Sequence, residues 1–125
     1  MTTPVHSATA PAPIGPYSQA IDLGSLVYCS GQTGVNPATG EIEVDGVIAE
    51  TEQTFANIVA VLEAAGLGLA NIIKTTVYLA NMDDFTAMNE VYARHFSQPY
   101  PARSTVEVAA LPKGALVEIE VLASR

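Results

Sequence analysis

Hydrophobic and polar positions change period several times along this chain, and the changes mark its elements. Residues 72–79, Ile-Ile-Lys-Thr-Thr-Val-Tyr-Leu, are largely β-branched or aromatic, hold neither Gly nor Pro, and predict the strongest strand. Over 49–65 the period lengthens. Phe55, Ile58, Val59, Leu62 and Ala65 recur at three- and four-residue steps, one face of a helix that Gly66 and Gly68 stop. A second helix is capped by Asn81 or Asp83, buries Phe85, Met88, Tyr92 and Phe96, and breaks at Pro99 and Pro101. Weaker alternation at 19–23 and 26–30, around Gly24-Ser25, predicts a hairpin, and Ile42 and Val44 a short edge strand. Two closing strands, 103–108 and 116–122, flank a loop with Leu111-Pro112-Lys113-Gly114. Residues 1–10, rich in Thr, Ala and Pro, predict a loose arm. The order ββ(β)αβαββ predicts an α+β domain spanning 1–125, a sheet with two helices on one face.

Composition narrows the function. A chain of 125 residues, 49% hydrophobic and 14% charged, suits one domain with its own core and does not suit a disordered tail. No apolar run approaches a membrane span. The net charge is −8, and the five cations, Lys74, Arg94, Arg103, Lys113 and Arg125, are scattered. No basic stripe exists to neutralise phosphates, so neither nucleic acid nor an anionic membrane is expected as a partner. An anionic small molecule would need one of those five cations. Cys29 is the only cysteine, which leaves no internal disulfide, and its apolar strand suggests a small core residue. The N-terminus lacks the pattern of a signal peptide, and the cytoplasm is the expected location. His6, His95 and Cys29 show no metal-ligand spacing, and no glycine-rich cofactor motif is present, so neither metal nor cofactor is expected. Leu26, Tyr28, Thr76, Tyr78, Val106 and Val108 make both faces of several strands partly apolar. That pattern predicts a homo-oligomer, with a monomer of mixed face as the alternative.

The closing strands carry the candidate chemistry. Arg103, Thr105 and Glu107 alternate on one strand, and Glu118 and Glu120 on the other. If the two pair as an antiparallel hairpin, Arg103 lies opposite Glu120 and Thr105 opposite Glu118. A guanidinium can clamp a carboxylate through two parallel bonds, and a neighbouring Glu can deprotonate water. The same spacing also fits an ordinary cross-strand salt bridge on a solvated face.

Longer motifs weigh on that choice. Pro101-Ala102-Arg103-Ser104, Val106-Glu107-Val108, Leu111-Pro112-Lys113-Gly114 and Val117-Glu118-Ile119-Glu120 together resemble the signature of the RidA family of reactive-intermediate deaminases, also called YjgF. Ile14-Gly15-Pro16-Tyr17-Ser18-Gln19-Ala20, Ser30-Gly31-Gln32, Ile73-Lys74-Thr75-Thr76-Val77 and Met88-Asn89-Glu90-Val91-Tyr92 resemble its earlier motifs, in order, so that the likeness covers roughly residues 10–123. The resemblance implies a chorismate-mutase-like fold assembled as a homotrimer, with the sheets in a central barrel and clefts between subunits. It implies hydrolysis of 2-imino acids such as 2-iminobutanoate and 2-iminopropanoate, in exchange with enamines, to 2-keto acids and ammonia, without metal or cofactor. By position, Arg103 would clamp the substrate carboxylate and Glu118 would activate water. The Thr105 backbone would bond the imine nitrogen or the water, and Tyr17 would close over the ligand from an adjacent subunit. Ser30, Gly31 and Asn89 would line the cleft, with Glu120 as a support. Many members carry cysteine where this chain has Thr105. The alternative within the same resemblance is a small-carboxylate-binding or chaperone-like trimer without significant catalysis.

Overall fold

The computed structural model describes residues 2–125. Seven strands form one mixed sheet: β1 (Thr3–Val5), β2 (Ala20–Asp22), β3 (Leu26–Cys29), β4 (Gln32–Thr33), β5 (Ile72–Leu79), β6 (Ala102–Glu107) and β7 (Val117–Ser124). Two helices, α1 (Val47–Ala64) and α2 (Phe85–His95), complete the fold. The spatial order is β1-β2-β3-β7-β5-β6, with β4 also paired to β7.

Alternation is strict along β7 and over residues 75–79 of β5, after an irregularity between Ile72 and Lys74. Thr75, Val77 and Leu79 with Val117, Ile119, Val121 and Ala123 are buried, while their neighbours are half-exposed. The buried set packs against Phe55, Ile58, Val61 and Leu62 of α1 and Met88 and Tyr92 of α2. The other face of the sheet carries Tyr28, Lys74, Thr76, Tyr78, Ser104, Val106, Glu118, Glu120 and Leu122 and, among the described residues, has no helix over it. Helix α1 begins two residues earlier than its apolar period predicts and ends as predicted. Gly66 has φ +76°, its N–H donates to Glu63 O, and Leu67 N–H donates to Leu62 O, which together close the last turn. Asn81 Oδ1 accepts from Asp83 N–H at 2.9 Å in the turn that leads into α2.

Three expectations change. Residues 3–5 are not a loose arm but an edge strand paired with β2. Val5 and Ala10 enter the core. The buried Gln19 amide ties the segment down, accepting from Ser7 N–H and donating to the Ser7 and Pro11 carbonyls. The edge strand at Ile42 and Val44 reduces to a single bridge between Val35 and Ile42, and Val44 is exposed.

The third change matters most. β6 and β7 do not pair with each other; β5 lies between them, parallel to β6 and antiparallel to β7. A parallel neighbour needs a crossover, and α2 supplies it. Arg103 therefore faces Thr75 rather than Glu120, and Thr105 faces Val77 rather than Glu118.

Candidate active site

Register decides what the polar residues of β6 and β7 can do. Arg103 is level with Thr75 and Val121, so its side chain lies on the helix side of the sheet. Glu118 is level with Tyr78 and Val106, on the open side. Within one chain the two sit two strands and three residues apart, roughly 10 Å in each direction, on opposite faces. The structure thus holds two separate polar clusters, each a candidate half of a site.

The first surrounds Arg103. Phe85, Asn89 and Tyr92 recur at four- and three-residue steps on α2, which turns all three toward one side. The guanidinium carbon lies 4.6 Å from the Tyr92 ring centre and 5.6 Å from that of Phe85. Nη1 donates to Asn89 Oδ1 at 2.7 Å. The Tyr92 hydroxyl is fixed in turn by Thr75 Oγ1 at 2.8 Å. Arg103 is half-buried and, among the described residues, pairs with no carboxylate; Arg94 pairs with Glu52 and Arg125 with Asp22. A half-buried cation anchored only by a neutral amide and two aromatic rings is poised for an anionic ligand. Two positions along β6, Thr105 Oγ1 is buried without a hydrogen-bond partner among the described residues. Sequence reasoning places Tyr92 and Phe85 in the core only; their spacing with Asn89 is the signal that points to Arg103.

The second half-site surrounds Glu118, whose side chain lines a cavity of about 290 Å³ with Tyr17, Gly31, Ile14, Val35 and Lys113. Backbone irregularity aims it. Tyr28 faces Leu122 and Gln32 faces Ile119, so four residues on the β3–β4 side span three on β7. The extra residue is a bulge at Ser30-Gly31. It brings Gly31 against the Glu118 carboxylate so closely that any Cβ would overlap it. Ser30 Oγ donates to Ser18 O at 2.6 Å, which fixes the segment carrying Tyr17 beside the bulge. Tyr17 is exposed at the rim, its hydroxyl accepting from Ile14 N–H at 3.3 Å. Burial, and secondarily the charge of Glu120, raise the Glu118 carboxyl above the usual carboxylate range. Arg103, which a β6–β7 hairpin would bring into one cluster with Glu118, is not beside it in the same chain.

Cys29 is half-buried, and burial pushes its thiol up to about 11, so it is no ready nucleophile. His95 stacks on Phe55 at 4.3 Å and contacts Glu52 Oε1 at 2.9 Å; His6 is exposed near β1. No helix among the described residues is long and apolar enough to cross a membrane.

Of the residues predicted for the site, Tyr17, Ser30, Gly31 and Glu118 come together at one half, and Asn89, Arg103 and Thr105 at the other. The chain as a whole has likenesses among known proteins. The family model described as Endoribonuclease L-PSP matches residues 7–125. A 2-iminobutanoate/2-iminopropanoate deaminase of Capra hircus is 48% identical over 119 residues, 95% of this chain and 87% of that protein. A RutC family protein of Haemophilus influenzae is 50% identical over 129 residues, 100% of this chain and 98% of that one. Among solved structures, RidA from the Antarctic bacterium Psychrobacter matches with a TM-score of 0.95 and 46% identity over 98% of this chain and 99% of its own. E. coli TdcF with bound serine matches at 0.93 and 44% over 98% of each. The chain belongs to the RidA (YjgF) family.

Proposed function

We propose that this protein hydrolyses small 2-imino acids, with 2-iminobutanoate and 2-iminopropanoate as the type substrates, and that it does so as a homotrimer whose clefts join the two half-sites from different copies. The observation that carries the reading is the half-buried Arg103 guanidinium with no carboxylate of its own. Relatives at 44–48% identity that bear the deaminase name support the reaction. The helix-free sheet face, with Tyr28 and Val106 exposed on it, supports assembly with further copies into a central barrel.

Arg103 binds the substrate carboxylate through parallel N–H···O bonds, and Asn89, Phe85 and Tyr92 hold the guanidinium for it. The Thr105 backbone holds the imine nitrogen. From the neighbouring copy come Glu118, Gly31 and Tyr17, with Tyr17 closing the rim. Water adds through oxygen to the imine carbon of R–C(=NH2+)–COO− as Glu118 takes one of its protons, forming the carbinolamine. Glu118 returns that proton to nitrogen. The C–N bond breaks, the carbonyl forms and the hydroxyl proton leaves through Glu118, which gives a 2-keto acid and ammonium. Imine hydrolysis is facile, so positioning supplies most of the acceleration. Scattered cations and a charge of −8 weigh against RNA as substrate, despite the family model's description.

Mixing two inactive variants tests chemistry and assembly together. Arg103→Ala and Glu118→Ala should each fail to speed keto-acid release in an assay coupled to a threonine dehydratase. Unfolded together and refolded at equal ratio, they should recover about one quarter of wild-type activity, because that share of seams joins an intact Arg103 to an intact Glu118. Wild-type rates in either variant alone would overturn the assignment. No recovery on mixing would overturn the shared cleft.

A further inference from the structure

The open face of the sheet carries a group that the reaction just described does not use. Tyr78 on β5 is level with Glu118, and Thr76 is level with Glu120. The Tyr78 hydroxyl crosses diagonally and donates to Glu120 Oε1. A cross-strand diagonal is within reach of an aromatic side chain, so this bond follows from the register. Glu118 and Glu120 occupy alternate positions of one strand and share this face, two half-buried carboxylates side by side.

We propose that Tyr78 and Glu120 are positioning residues for Glu118: Tyr78 pins the Glu120 carboxylate on the flank of Glu118, and Glu120 sets the pH range over which Glu118 takes and returns a proton. The inference rests on the reading of Glu118 as the proton-transferring group.

Two like charges on one strand face repel, and a sheet under no functional demand has no need to fix them together. Here a phenol bonds one of them in place. Glu120 stands on β7 and Tyr78 on β5; Tyr17 precedes β2 and Lys113 precedes β7, both lining the cavity. Lys74, on the same face of β5, turns to Ser104 Oγ at 3.0 Å, and the Lys113 ammonium donates to Gly40 O at 2.6 Å. Glu120 is thus the carboxylate neighbour of Glu118 on this face. Its charge is the second cause, after burial, of the raised Glu118 carboxyl, and its bond to Tyr78 pushes that phenol up to about 12. The chemical gain is in the first half-reaction. A carboxylate of greater proton affinity is the stronger base toward the attacking water.

Glu120→Gln keeps the shape and the acceptor for Tyr78 and removes the charge. In protein carrying 13C-labelled glutamate carboxyls, the Glu118 resonance should titrate at lower pH in Glu120→Gln than in wild type. The acid limb of kcat/KM for imine hydrolysis should move down by the same amount. Tyr78→Phe, which frees the Glu120 carboxylate, should move both in the same direction by less. A merely structural Tyr78–Glu120 pair would lower the melting temperature on substitution and leave the Glu118 midpoint in place, and that result overturns the proposal. Wild-type protein without imine hydrolysis would instead overturn the deaminase reading on which it rests. An active enzyme with an unmoved Glu118 midpoint overturns this inference alone.

Discussion

Gly31 and Gly34 are three residues apart and are glycine for different reasons, neither of them a positive φ. A Cβ on Gly31 would overlap the carboxylate of Glu118, the far end of a flexible side chain. A Cβ on Gly34 would come within 2.8 Å of the Glu50 Cα and carbonyl oxygen, which are backbone and cannot yield. Gly31→Ala should therefore fold with Glu118 displaced. Its melting temperature should stay near that of wild type while kcat/KM falls by about 100-fold, the usual cost of a reacting group moved by an ångström. Gly34→Ala should show the opposite split, with a lowered melting temperature. Thermal melts beside coupled deaminase rates read both. The sequence shows Ser30-Gly31-Gln32 as a motif, yet the extra residue of the bulge becomes visible only once β7 is known to run alongside.

Helix α1 works as more than a cover for the sheet. Its inward face mixes Phe55, Ile58, Val61 and Leu62 with Glu50, Thr51, Thr54 and Asn57. The two threonine hydroxyls donate to carbonyls one turn back, and the Asn57 amide donates to Thr33 O and Val35 O. Asn57 thereby fixes the segment that lines the Glu118 cavity. Glu50 accepts from Leu116 N–H at 2.8 Å and so ties α1 to the start of β7. Burial raises its carboxyl, the Leu116 N–H opposes that, and the charge of Asp84 adds to it. The folded form thus binds its proton more tightly than the unfolded chain does. Stability from this group is complete below the ordinary glutamate value, about 4.3, and is lost as pH rises through the raised folded value. Glu50→Gln has no charge to bury. Measured by chemical denaturation, its stability relative to wild type should improve on going from pH 4 to pH 7; an unchanged difference would refute the buried charge.

The same element shows what a sequence discloses. The apolar period of α1, the Gly66 stop and the unbroken run of β5 are local patterns, and the structure keeps them. The pairing of β6 with β7 is a question of partners, which no local pattern answers. Alternation places Arg103 and Thr105 on one face and Glu118 and Glu120 on one face, but it cannot say whether a strand lies between. With α2 acting as a crossover, β5 does lie between, and the supposed single cluster becomes two. The arm failed for a related reason: Gln19, nine residues past Ala10, holds it, and the composition of residues 1–10 carries no trace of that bond.

At the scale of the molecule the five cations are dispersed: two pair with carboxylates, one meets a serine, one a carbonyl, and Arg103 an amide. The overall charge repels anions at a distance, so the proposed capture of a small acid would rest on the local contact at Arg103. The sheet face without helices leaves Tyr28 and Val106 open, and β6, with Arg103 on it, forms one edge of the sheet.

Under the proposed function, placing Arg103 and Glu118 on opposite sides of the sheet makes turnover a collective property, in which a solitary chain owns one half of two different sites and a whole of none. Specific activity per chain should therefore fall on serial dilution, tracking the dissociation seen by light scattering, and return on reconcentration. An enzyme whose specific activity stays constant down to fully monomeric samples would have found some other way to bring acid and guanidinium together.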